Sequence, residues 1–211
     1  MKTFKSKNME EYLKRIANSL ERAFPPDPDS YFFEKADAFI WEPERNYFSQ
    51  VNDISTVDIS LLRGMDEEIE QVIFNTEAFI EGKLANNVLV WGARGMGKST
   101  LIKSVVKAAS YKSNNLKIIE VSRDDIGQVG KLLKLIKNIN KKFIIFCDDI
   151  SFDDNETSYK SLKSVLDGGL IGGMQNVLVY ATSNRRHLLS RKSGNGDDFI
   201  RWEEELDERL S

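Results

Sequence analysis

The chain has 211 residues, with 30 basic and 33 acidic side chains, a net charge of −3 and 41% hydrophobic content. That is enough for one sizeable core plus an appended segment. Its single cysteine, Cys147, excludes an internal disulfide framework, and no apolar run approaches the roughly 20 residues that a membrane-spanning helix needs. No apolar signal core follows Met1-Lys2-Thr3-Phe4-Lys5, so a cytoplasmic location is expected.

The charge is unevenly spread. Residues 1–86 carry 10 basic and 17 acidic groups, residues 87–142 carry 12 and 3, and residues 143–211 carry 8 and 13. The central positive block would draw in an anionic ligand, while the net acidity argues against a dedicated nucleic-acid binder. Its densest part is Lys131, Lys134, Lys137, Lys141 and Lys142, mostly opposite Leu132, Leu133, Leu135 and Ile136. A solvated helix face is the expected reading, with a nucleic-acid contact as the alternative.

In chain order, Met9 to Ala23 reads as a helix ended by Pro25-Pro26-Asp27-Pro28. All four prolines lie in the first 43 residues, which places a boundary near residue 56, between an extension at 1–56 and a main domain at 57–211. The extension is rich in aromatics, with Tyr31, Phe32, Phe33, Phe39, Trp41, Tyr47 and Phe48. They are expected to pack it onto the main domain, a partner-docking surface being the sharper alternative. From Met65, the spacing of Ile69, Val72, Ile73, Phe79 and Ile80 predicts a helix stopped by Gly82.

Four β-like runs follow, Asn87–Trp91, Leu116–Val121, Phe143–Cys147 and Val177–Ala181, with helices expected near 98–111, 127–139 and 157–167. This alternation implies an α/β fold, a parallel sheet with helices on both faces. Unbroken apolar runs such as Phe143-Ile144-Ile145-Phe146 suit strands buried on both sides.

Between the first run and the helix after it lies Gly92-Ala93-Arg94-Gly95-Met96-Gly97-Lys98-Ser99, followed by Thr100. This is a complete G-x-x-x-x-G-K-S loop in the strand-to-helix context that a triphosphate requires. Backbone N–H groups of the turn and the helix N-terminus converge there on an anion. Lys98 is placed to reach the β- and γ-phosphates, and the Ser99 hydroxyl to ligate Mg2+.

The third run delivers Asp148 and Asp149 at its C-terminal end, the edge of an open α/β sheet where ligands bind. Asp148 is the candidate for the Mg2+ shell beside Ser99, and Asp149 for polarising the attacking water. Ending a strand and capping a loop is the plainer alternative for the pair. The fourth run delivers Asn184, an amide suited to holding the water or the γ-phosphate, with Arg185, Arg186 and His187 directly after it.

The order of these pieces resembles the AAA+ class of P-loop ATPases, with Walker A at 92–99, Walker B at 143–149 and a sensor-1 asparagine at 184. More narrowly the chain is similar to the AAA+ family called domain of unknown function 815. That likeness is carried by Leu62-Arg63-Gly64-Met65, Asn75-Thr76, Ala85-Asn86-Asn87-Val88-Leu89-Val90 and Asp148-Asp149-Ile150-Ser151-Phe152. Two later runs carry it as well, 162–170 and Ala181-Thr182-Ser183-Asn184-Arg185-Arg186-His187-Leu188.

The resemblance implies a three-layer fold with strand order 5-1-4-3-2, ATP (and its product ADP) with Mg2+, assembly into a homo-oligomeric ring and a protein client. It also implies that the loop from Val57 to Gly64 lies near the adenine. Many AAA+ enzymes have Glu where this chain has Asp149, and the shorter side chain implies slow turnover. Only 27 residues follow Asn184, read as a loop at Ser190–Gly196 and an acidic helix at Asp198–Leu210. The core is therefore expected to stop short of the lid, with Arg201 and Arg209 as weak stand-ins for an arginine finger.

ATP hydrolysis driving a conformational switch is the expected function. The alternatives are a nucleotide sensor without turnover and, last, a P-loop kinase for a small metabolite. His187, the only histidine, supports neither a zinc site nor a Ser-His-Asp arrangement. Cys147, inside an apolar strand, reads as a packing residue. The run 168–173 reads as a helix-to-strand connection. No aromatic pore residue stands in 122–127, which weighs against protein threading.

Overall fold

The computed structural model describes residues 2–23, 27–150 and 174–184. The first element, α1 (Lys2–Ala23), begins earlier than its apolar pattern predicts. Then come β1 (Ala38–Glu42), β2 (Tyr47–Val51), α2 (Asp66–Ile80), β3 (Val88–Trp91), α3 (Lys98–Lys112), β4 (Leu116–Val121), α4 (Val129–Ile136), β5 (Lys142–Cys147) and β6 (Val177–Ser183). The helix expected over 157–167, the connection at 168–173 and both C-terminal elements lie outside the described residues.

The strands form one sheet in the order β2-β1-β4-β5-β6-β3. Only the β1–β2 pair is antiparallel; every other pairing is parallel. The expected order 5-1-4-3-2 is corrected here. Its 1-4-3-2 portion corresponds to β3, β6, β5 and β4, but among the described residues no strand flanks the outer side of β3. Instead β1 pairs with β4, Ala38 opposite Ile118 and Ile40 opposite Glu120, and β2 completes that edge.

The hairpin was not foreseen, since no strand was expected before residue 87. Its physical reason is alternation: Phe39 and Trp41 point to one face and are buried, while Ile40 between them is exposed. The reversal is tight, with Arg45 N–H donating to Glu42 O and Asn46 taking a φ of +46°, a conformation asparagine tolerates better than most residues.

Both faces of the sheet are covered, making three layers. On one face Phe143, Ile145, Cys147, Val179 and Ala181 pack with α4 and the aromatic segment. On the other, Ile144, Phe146, Leu178 and Tyr180 pack with α2 and α3. The even and odd residues of β5 thus serve different cores, which explains its unbroken apolar run. Phe33 lies edge-on to Phe143, Phe39 and Phe48 at centroid distances of 4.9, 5.0 and 5.3 Å, so Phe33, Phe39, Trp41 and Phe48 are core side chains, with Phe32 and Tyr47 half-buried.

The helix expected over 127–139 is shorter than its pattern. Residues Arg123–Gln128 are a 3-10 segment and α4 proper begins at Val129. Across the other face, Asn75 of α2 clamps the approach to β3. Its Nδ2 donates to Asn86 O and its Oδ1 accepts from Asn86 N–H, both at 2.8 Å, while Nδ2 also reaches the Tyr180 hydroxyl at 3.0 Å. Burial pushes the Tyr180 hydroxyl pKa up, partly offset by Thr76 and Asn75.

Cys147 is fully buried, and desolvation, with the Glu120 charge adding to it, pushes its thiol up to about 12. Only the thiolate is nucleophilic. The native chain is therefore expected to resist alkylation at pH 8 until denaturant opens it, as mass spectrometry of timed samples would show. Among the described residues, no helix is long and apolar enough to cross a membrane.

Candidate functional site

Sheet register assembles the site. Trp91 stands opposite Ser183, and Cys147 opposite Ala181, so Gly92, Asp148 and Asn184 each leave the same edge one residue later. Parallel strands place all their C-terminal ends together, where an open α/β sheet receives ligands. Gly92 N–H donates to Ser183 O at 3.2 Å, tying the loop's first residue to β6.

Two glycines of the loop occupy conformations that a β-carbon would strain, Gly95 at φ +82° and Gly97 at φ +86°. Gly97 is the N-cap of α3, and Leu101 N–H closes the first helical turn onto its carbonyl at 2.8 Å. Lys98 is buried in that first turn and folds back over the loop. Its Nζ donates to Gly92 O and Ala93 O at 2.9 Å and to Asn184 Oδ1 at 3.0 Å. Arg94 and Met96 are exposed at the rim.

Asp148 and Asp149 follow β5 in a bend. Asp149 takes a left-handed φ of +49°, which sends the two carboxylates to different neighbours. Asp148 Oδ1 accepts from Ser99 Oγ at 2.5 Å and from Thr182 Oγ1 at 2.6 Å. Asp149 Oδ1 accepts from Asn184 Nδ2. The amide of Asn184 therefore links Lys98 to Asp149, one end accepting and the other donating.

These groups share a cleft of about 380 Å³ that also includes Gly95, Gly97 and Thr100. A larger groove of about 440 Å³ runs between α2 and the outer edge of β3, and it lacks the aspartate pair. The smaller cleft, which holds the aspartate pair, is therefore the candidate site. The segment after β2 is anchored to α3 beside it: Thr56 Oγ1 meets Thr100 O and Ser104 Oγ, and Ser104 Oγ donates to Val57 O.

Sequence reasoning missed Thr182, whose hydroxyl touches both aspartates. Its signal was available only through strand register, which places it beside Asp148. Arg185, Arg186, His187, Arg201 and Arg209 lie outside the described residues. No cluster of three or more His, Cys, Asp or Glu that could hold a metal occurs among the described residues. A metal here would rely on few protein oxygens and on its ligand's phosphates, as magnesium does in nucleotide sites.

The model of the family described as "Protein of unknown function (DUF815)" matches residues 34–211. No curated protein matches the chain. Among solved structures it is similar to AMPPCP-bound DnaA from Aquifex aeolicus, at 20% identity over 69% of this chain and 52% of that one, with a TM-score of 0.42. DnaI matches at 15% identity over 74% and 87%, with a TM-score of 0.47. The RuvB Holliday junction branch migration motor of Thermotoga maritima matches at 19% over 63% and 43%, with a TM-score of 0.43. The chain spans about half the length of the DnaA chain it matches.

Proposed function

The chain belongs to the DUF815 family, and from that premise and the site's geometry we propose that it is a P-loop ATPase of the AAA+ class. It binds ATP with Mg2+ and hydrolyses it to switch the conformation of an assembly with further copies and a protein client. One observation carries the reading. Lys98, Asn184 and Asp149 form a continuous hydrogen-bonded chain beside the Ser99–Asp148 pair, at the mouth of a glycine loop that opens a helix.

The loop's backbone and the α3 N-terminus supply donors and a positive dipole end for the phosphates, and Lys98 adds a formal positive charge. Ser99 Oγ and Asp148 Oδ1 are hard oxygens of the kind magnesium takes, and the hydrogen bond between them keeps both at the cleft. Bound there, magnesium would neutralise charge on the β- and γ-phosphates.

Asp149, exposed at the cleft, is the group that accepts a hydrogen bond from the attacking water. Asn184 sets its direction through Nδ2. Lys98 bridges the leaving and transferred phosphates after exchanging a carbonyl contact for a phosphate oxygen. The anchored segment at Thr56 and Val57 lies beside α3, where the adenosine end would pass.

The test is phosphate release from ATP by the purified chain with magnesium and with EDTA. Saturable, magnesium-dependent release is expected. Tight binding with no release would leave a nucleotide sensor, and no binding at all would refute the reading.

A further inference from the structure

Two adjacent carboxylates at a strand end repel each other, and hydrolysis needs them to face different partners. In an extended chain the pleat alone would separate them. Here the strand has already ended at Cys147, and Asp149 adopts the left-handed conformation, which aspartate visits more readily than most residues with a β-carbon but still at a cost. Such a conformation persists only when its surroundings over-determine it.

One side chain does so. Thr182 is 1% exposed. Its Oγ1 accepts the Asp149 N–H at 2.8 Å and donates to Asp148 Oδ1 at 2.6 Å. Its carbonyl accepts the Ile150 N–H at 2.7 Å. The neighbouring Ser183 Oγ donates to Ile150 O at 2.9 Å. The backbone of one aspartate and the side chain of the other are thus held by a single buried hydroxyl, whose acceptor and donor capacity are both used. Asn184, two residues on, then meets Asp149.

We infer that Thr182 is a positioning residue that sets Asp148 toward Ser99 and Asp149 toward Asn184, so that metal binding and water orientation are fixed together. The inference rests on the proposed ATPase reading for its consequence, but not for the geometry it asserts. The Thr182 hydroxyl spends its contacts on the two aspartates, and it acts through them.

The experiment compares wild type with Thr182→Val, Thr182→Ala and Thr182→Ser, each first checked for a cooperative thermal transition. The alanine variant serves if the valine variant does not fold. In the ligand-free chain, hydrogen exchange at the Asp149 amide is expected to quicken at least about tenfold in Val and Ala and to stay near wild type in Ser.

Titration with ATP plus EDTA is expected to give an unchanged affinity. The gain in affinity on adding magnesium should shrink about tenfold in Val and Ala and return in Ser, the equivalent of one net hydrogen bond. Unchanged amide exchange, or an undiminished magnesium gain in a folded Val or Ala variant, overturns the positioning role. Failure of wild type to bind ATP would sink the ATPase reading alone, because the amide exchange still decides the role of Thr182.

Discussion

Replacing Asp149 by asparagine is expected to slow phosphate release by about 100-fold or more, while ATP affinity changes by less than about threefold. The variant keeps size and shape, and the new amide oxygen can still accept from Asn184 Nδ2 as the carboxylate does. What is lost is the negative charge that polarises water, a contribution on the order of 10²–10⁴ in rate when a general base is removed. Binding is spared because the glycine loop, Lys98 and the Ser99–Asp148 pair do not involve this oxygen. Initial rates at saturating magnesium-ATP measure the effect. Equal rates in the two proteins would remove Asp149 from the chemistry.

Lys98→Ala is expected to weaken ATP binding about 100-fold or more, roughly 3 kcal/mol, the range for losing charge-assisted hydrogen bonds to phosphate. The reasoning is local. Lys98 is the only described side chain that reaches both the loop carbonyls and Asn184. Its ammonium is held over the loop's mouth before any ligand arrives, so little ordering entropy remains to be lost on binding. The substitution also strips a donor from Gly92 O, Ala93 O and Asn184 Oδ1, so some loosening of the loop adds to the effect. Lys98→Met, which keeps the apolar stem but not the ammonium, separates stem packing from the ammonium's contribution in the same titration: an affinity close to that of Ala assigns the loss to the ammonium and its hydrogen bonds.

The site was more legible than the sheet, for physical reasons that differ by residue. A G-x-x-x-x-G-K-S loop encodes its own geometry, because glycines at 95 and 97 are needed for positive φ and Lys98 must follow them. The strand β5 announced itself because burial on both faces demands a continuous apolar run. The hairpin did not. Its strands are five residues each, Pro43 and Asn46 lie between them, and aromatics expected to pack onto the main domain do not by themselves announce strands. Their burial against Phe143 and α4 becomes visible only once the chain is folded.

The arrangement around Asp148 and Asp149 was half visible. Their position at a strand end follows from the apolar run before them. The left-handed conformation of Asp149 and the hydroxyl of Thr182 between the Asp148 carboxylate and the Asp149 N–H depend on the register of β5 against β6, a relation between residues more than thirty apart in sequence. Local pattern carries no information about such a pairing. The helix α4 was overestimated for a related reason: the period-3.6 pattern persists through residues that the fold places in a 3-10 segment before Val129.

The central claim is that the loop at Gly92–Ser99, Lys98 and the aspartate pair together form a site for a magnesium-bound triphosphate. Calorimetric titration of ATP into the wild-type chain, with and without magnesium, tests it most directly. The account predicts saturable binding to one site per chain, strengthened by magnesium. A flat titration in magnesium buffer, from protein shown to be folded, would contradict it.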